Sequence, residues 1–212
     1  MSSQKLPGNP ERVVVYIDGF NLYYGIKEAN LGHARWLDLT ALSRNILRPN
    51  QQLIRVKYFT ARVRGPDPGI RKRQGLYLRA LETRSDLDII YGRFMRKNDG
   101  VCHRCGHRWA NWEEKMTDVN IAAHLALDAS GGTIDKALLV SGDSDLAHAV
   151  HLVKGSSSVK VVAVFPPKRS SHDLKKVVDA SMSLNRTIIL KSVMEDPVKG
   201  PSGDLDCPPS WK

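Results

Sequence analysis

Six short apolar runs punctuate the chain, at residues 13–17, 53–60, 88–94, 136–141, 159–165 and 186–190. Runs this short and this continuously apolar suit strands covered on both faces. Between them apolar residues recur at helical spacing. Asp38 can cap a helix carrying Leu39, Leu42, Ile46 and Leu47, and residues 67–84 place Leu76, Leu78 and Leu81 on one face. Residues 117–129 do the same with Ile121, Ala122 and Leu125, and residues 144–154 with Leu146, Ala149, Val150 and Val153 before Gly155. Strands alternating with helices predict an α/β fold, a three-layer α/β/α sandwich around a mostly parallel sheet. One domain over about residues 11–192 is expected. Residues 1–10 read as a disordered N-terminus, and residues 193–212, rich in Pro and Gly, as a disordered tail.

Two of the runs end in carboxylates. The first leads into Asp18-Gly19-Phe20-Asn21, and the fourth into Ser141-Gly142-Asp143-Ser144-Asp145. Ligands of open α/β sheets bind at the carboxyl ends of the strands. Gly19 permits a sharp turn that lets Asp18 face the crevice while Asn21 enters the following helix. Asp118 falls in the first turn of the helix expected at 117–129. Each acid alone has a plainer explanation as a helix cap or a partner of the helix dipole. Gathered at one edge, the same carboxylates repel one another unless a cation neutralises them. Oxygen-only donors select hard cations, so Mg²⁺ or Mn²⁺ is the expected ion. No Gly-rich phosphate loop of the P-loop or dinucleotide type occurs, which argues against a nucleotide cofactor.

Charge sharpens this picture. Across 212 residues, 32 Lys and Arg stand against 22 acids, a net charge of +10. The excess is densest at residues 62–73, 93–108 and 168–176. An acidic cluster on a basic chain is the pairing expected of a metal-dependent enzyme acting on a polyanion, although a basic surface can also serve solubility alone. No apolar stretch approaches bilayer length and residues 1–10 carry no secretory apolar segment, so no membrane partner is expected. Three cysteines make no disulfide framework, so a reducing cytoplasm is the expected location.

The segments 14–22, 114–122 and 139–146 carry a resemblance. In order along about residues 12–190, they are similar to motifs of the NYN domain family of PIN-like ribonucleases. The resemblance implies a PIN-like sandwich and Mg²⁺- or Mn²⁺-dependent cleavage of RNA; single-stranded RNA, cut internally, is the expected substrate. It implies Asp18, Asp118, Asp143 and Asp145 as the acidic site and metal ligands, with Asn21 supporting them. Relatives carry another acid where His124 stands, so this chain departs from the pattern there. A non-catalytic RNA-binding protein that retains the fold is the second reading. A small-molecule phosphohydrolase would want Asp-x-Asp after the first strand, which Asp18-Gly19-Phe20 does not supply.

An insert at 96–112 carries Cys102-His103-Arg104-Cys105-Gly106-His107, followed by Trp109 and Trp112. Cys-x-x-Cys-Gly is similar to a zinc knuckle, and Cys102, Cys105 and His107 are the candidate ligands. Tetrahedral zinc needs a further ligand, from His103, Cys207 or a second copy of the chain in a homodimer. Two free thiols on a loop are the alternative. Lys115, Lys168, Arg169 and Arg73 are candidate contacts to an RNA backbone. The tryptophans could stack on bases or anchor the insert.

Overall fold

The computed structural model describes residues 9–65 and 67–212. The N-terminal disorder expected for residues 1–10 falls mostly outside the described residues. In chain order the first elements are β1 (Glu11–Asp18), α1 (Gly19–Glu28), α2 (Leu39–Asn45), β2 (Gln51–Thr60), α3 (Pro68–Leu81) and β3 (Leu87–Tyr91). A hairpin of β4 (Arg93–Val101) and β5 (Arg108–Lys115) follows, then α4 (Thr117–Ser130) and β6 (Lys136–Val140). The chain continues through α5 (Ala147–Ser156), β7 (Lys160–Phe165), α6 (His172–Val177), β8 (Ala180–Ser183), α7 (Arg186–Leu190), β9 (Val198–Gly200) and β10 (Gly203–Leu205).

Six strands form one sheet in the order β3-β2-β1-β6-β7-β8, and every neighbouring pair in it is parallel. The periodicity of a strand explains why both faces need cover. Val13, Val15 and Ile17 of β1 join a core with α1, α2 and α3, while Val14 and Tyr16 join a second core with α4, α5 and α6. Two cores on opposite faces of one sheet make the α/β/α sandwich. From β1 the chain builds outward through β2 and β3, then returns to build the other way from β6. The order therefore reverses between β1 and β6, the position where such sheets bind ligands.

Helix starts follow the capping residues. Asp18, Asp38 and Asp67 accept hydrogen bonds from the amides of Asn21, Ala41 and Gly69, and each opens a helix. Among the described residues no helix is long and apolar enough to cross a membrane.

Three expectations need correction. The run at 186–190 is a helix, because Asn185 caps it by accepting from the Ile188 amide; the sixth strand is the short edge strand β8. The insert is wider than 96–112: it is the whole β4–β5 ladder, pairing Arg93 with Lys115 at its base. The segment 193–212 is packed rather than loose. Val198, Leu205, Cys207 and Trp211 are buried in the first core, and the Trp211 ring lies 5.9 Å from Tyr77 and 6.4 Å from Trp36. Its prolines and glycines shape turns of a small β9–β10 hairpin, and apolar surface on the body holds it there. The Trp36 indole donates to the Glu195 carbonyl, and the Asp196 carboxylate accepts from the Cys207 amide.

Candidate active site

Asp18 is the last residue of β1 and is buried to 4 % exposure. Its Oδ1 accepts from the Asn21 amide at 2.9 Å and its Oδ2 from the Ser141 hydroxyl at 3.0 Å. The turn beyond it depends on Gly19, where a Cβ would sit 2.7 Å from the Phe59 carbonyl oxygen and from the Tyr58 ring. Across the switch point, Ser141 also accepts from the Asp143 amide, and Asp143 Oδ1 caps the next turn by accepting from the Asp145 amide at 3.0 Å. The Asn21 side chain spans the two strand ends, its Oδ1 accepting from the Gly142 amide at 2.9 Å.

Asp118 enters from the first turn of α4. Glu114 fixes that turn by accepting from the Thr117 amide and hydroxyl. The result is a group of three carboxylates, Asp18, Asp118 and Asp143, each offering an oxygen within 4.8 Å of the others. Burial pushes the Asp18 carboxyl up to about 6; the Asn21 amide and Ser141 hydroxyl oppose this, and Asp118 and Asp143 add to it. Burial also raises Asp118 to about 6, with further contributions from Asp143, Glu114 and Asp145. Crowded, partly buried acids of this kind match a hard divalent cation in charge and donor type, so the residues present fit Mg²⁺ or Mn²⁺.

The remaining candidates divide. Asp145 is exposed and stands outside the group of three, near enough to act on Asp118 through its charge. The Arg169 backbone lies against Gly142, where a Cβ would meet its carbonyl carbon at 2.9 Å. The Arg169 guanidinium pairs with Glu28 and lies 5.9 Å from the Tyr24 ring centre. Lys168 beside it is exposed. Lys115 is exposed and pairs with Glu113 at 3.2 Å. Arg73 lines a cavity on the other side of the Asp18 turn. His124 sits apart from the acids, 3.4 Å from Lys57 Nζ and edge-on to Phe59, beside an Asp128 carboxylate that takes the Lys57 ammonium and the Tyr16 hydroxyl. Burial first, then the Lys57 charge, lowers its pKa. It fills a polar niche in the second core.

Cys102 and Cys105 lie at the tip of the β4–β5 hairpin. The turn has the knuckle geometry: the Gly106 amide donates to the Cys102 carbonyl, Gly106 takes φ +71°, and amides of Cys105 and Arg104 hold the Cys102 thiol below its ordinary value. Among the described residues, however, His107 does not join the two thiols as a third ligand. Its ring stacks instead on Trp109, which in turn lies over Gly100. A single chain therefore presents two sulfur atoms where zinc wants four ligands.

Ser141, which holds Asp18, and Glu114, which fixes the turn carrying Asp118, are functional positions beyond those the motifs point to. Their signals were available: a hydroxyl directly after a strand, and Glu three residues before a helix-opening Thr.

The chain matches the NYN domain family over residues 12–185. It is 28% identical over 197 residues to 6-hydroxy-3-succinoylpyridine 3-monooxygenase HspA of Pseudomonas putida, an alignment covering 77% of this chain and 62% of that protein. The chain thus spans less than two thirds of that relative's length. In fold it is similar to the crystal structure of a protein of unknown function from Vibrio parahaemolyticus, with a TM-score of 0.55 and 20% identity, covering 86% of this chain and 98% of that one. The family match spans all three acidic positions and most of the chain, and by it this protein belongs to the NYN domain family, a family of PIN-like ribonucleases.

Proposed function

We propose that this protein is a metal-dependent ribonuclease that hydrolyses internal phosphodiester bonds of single-stranded RNA at Asp18, Asp118 and Asp143. The observation that carries the proposal is the meeting of those three carboxylates, drawn from β1, α4 and the loop after β6, at the point where strand order reverses. Asp18 and Asp143 would hold Mg²⁺ or Mn²⁺ directly. That ion, when bound, supplies charge against the phosphate and an activated water.

The chain's own groups do the positioning. Ser141 and the Asn21 amide hold Asp18, and the Asp145 amide holds one oxygen of Asp143, leaving its other oxygen for a ligand. Asp118 and exposed Asp145 accept hydrogen bonds from the attacking water and orient it toward phosphorus. Lys168 and Lys115, both exposed, contact neighbouring phosphates, and Arg169 stiffens that edge through Glu28.

The test is cleavage of an end-labelled single-stranded RNA with Mn²⁺. Internal products are expected from the wild type and are expected to vanish in EDTA and in Asp143→Asn. RNA binding without metal-dependent cleavage would move the protein to the second class, a binding protein that kept the fold.

A further inference from the structure

Between α1, α3 and the C-terminal segment lies a cavity of about 290 Å³, near the lower end of the range of about 300–1,000 Å³ usual for small-ligand sites. Phe20, Tyr58, Tyr77, Phe94 and Trp211 give it aromatic walls, together with aliphatic side chains such as Leu37 and Ile70. Lys27, Arg35 and Arg73 also line it, and no carboxylate does among the described residues. Arg35 is committed, lying 5.6 Å from the Trp211 ring centre and donating to the Gly32 and Ser210 carbonyls.

Position gives this cavity its meaning. Gly19 and Phe20, which line it, directly follow Asp18 in the chain. The half-buried Phe20 ring stands 6.0 Å from Phe94, which comes from the base of the β4–β5 hairpin. A strand whose phosphodiester rests on the acidic group therefore has an aromatic, cation-edged recess across the Asp18 turn, reached past Gly19 and Phe20. Planar faces stack on aromatic rings, and Lys and Arg suit the phosphates on either side.

We propose that this cavity receives an unpaired base of the RNA, flanking the phosphodiester held at the acidic group, with Phe20 and Phe94 as the stacking rings and Arg73 gripping the adjoining phosphate. The proposal rests on the ribonuclease reading, and its test separates the two. The probe is a fluorescein-labelled hexa-adenosine ribonucleotide, followed by anisotropy with Ca²⁺ in place of Mg²⁺ or Mn²⁺, so that a cation still joins phosphate to the acidic group while its loose coordination does not favour cleavage, together with versions carrying one abasic position each. One abasic position is expected to weaken wild-type binding about tenfold, the scale of a lost base stack. Phe20→Ala should show no such position-dependent penalty and should bind the intact probe about tenfold more weakly. Arg73→Ala, a change at a half-buried charge, should weaken it several-fold and keeps the test decisive if Phe20→Ala does not fold.

A wild-type profile indifferent to abasic position, or Arg73→Ala binding like wild type, overturns the base pocket. If Mn²⁺-dependent cleavage persists in that case, the ribonuclease reading survives alone. A position-specific penalty in a protein that never cleaves RNA upholds the pocket and sinks the ribonuclease reading. Phe20-dependent binding of a free pyridine carboxylate, with no position dependence in the oligonucleotide, would reassign the cavity to a small molecule and overturn the proposal.

Discussion

Two regions of this chain read as metal sites in the sequence, and the fold treats them in opposite ways. The cysteine knuckle is local: Cys102, Cys105 and His107 lie within six residues at the tip of an exposed hairpin, while Cys207, the more distant candidate, is buried in the first core. The acidic centre is assembled from Asp18, Asp118 and Asp143, which lie far apart in the sequence and meet at one sheet edge. The local motif produces the right turn and two sulfur atoms but gains no further ligand. The dispersed one closes because the strand order and the start of α4 bring its carboxylates to one sheet edge. A ligand count along the chain is thus a weaker guide than the number of rigid elements that converge.

That contrast can be broken at several places. The largest effect should be on cleavage. Asp118→Asn is expected to lower Mn²⁺-dependent RNA hydrolysis by about 10²- to 10³-fold, the scale of losing one group that stabilises transition-state charge. Cys102→Ser with Cys105→Ser should leave it within about twofold, since both residues lie in a turn remote from the acids. Single-turnover rates at saturating protein would decide it, and a larger loss in the cysteine variant would reverse the ranking.

Next comes stabilisation by metal. At a hundredfold excess over its Kd, Mg²⁺ or Mn²⁺ should add about 2.7 kcal/mol by binding the native state alone. A rise of several degrees in the thermal midpoint is expected for wild type, and a much smaller one for Asp118→Asn. Zinc should produce no comparable rise through the thiols. An unchanged midpoint in millimolar Mg²⁺ and Mn²⁺ would count against a preformed acidic centre.

A third measurement uses acid pH in the absence of metal. Asp18 and Asp118 are raised from 3.8 to about 6 in the fold, so between those values the native state holds more protons than the unfolded chain. Stability from these groups is therefore full below about pH 4 and declines as pH rises toward about 6. The loss should be on the order of 2 kcal/mol for buried Asp18, and smaller for half-buried Asp118, where solvent screens the charge. Urea melts in EDTA across this window should show the decline, and Asp118→Asn should lessen it while the Asp18 part remains. Stability rising over the same range would mean that the carboxylates are not crowded in solution.

The smallest effect belongs to the hairpin tip. Replacing both thiols by serine should change unfolding free energy by no more than about 0.5 kcal/mol, as for surface positions away from a core, since Cys105 is exposed and Cys102 partly so. A loss of several kcal/mol, reproduced by chelators in the wild type, would show that a metal shared with a second chain holds the knuckle.

Much of the sandwich was legible because local signals and global fold agree. The apolar runs at 13–17 and 136–141 are central strands, and Asp18, Asp38 and Asp67 each open the helix that capping chemistry predicts. The run at 186–190 misled because a short apolar segment has no reliable period, and the Asn185 cap outweighed its β-branched residues. The C-terminal segment misled for a different reason. Composition counts prolines and glycines, but it cannot see that Trp36 and Tyr77 offer Trp211 a place to bury itself.

The site follows the same division. By itself the sequence determined which residues carry acid, where strands end in carboxylate, and which family the three motifs resemble, since these depend on neighbours along the chain. Tertiary structure alone decided that three of the four aspartates meet while Asp145 stays exposed, that Ser141 and Asn21 tie two strand ends together, and that Trp211 closes an aromatic recess beside them. Those outcomes turn on distances between elements, which are set by how the two cores pack against the sheet.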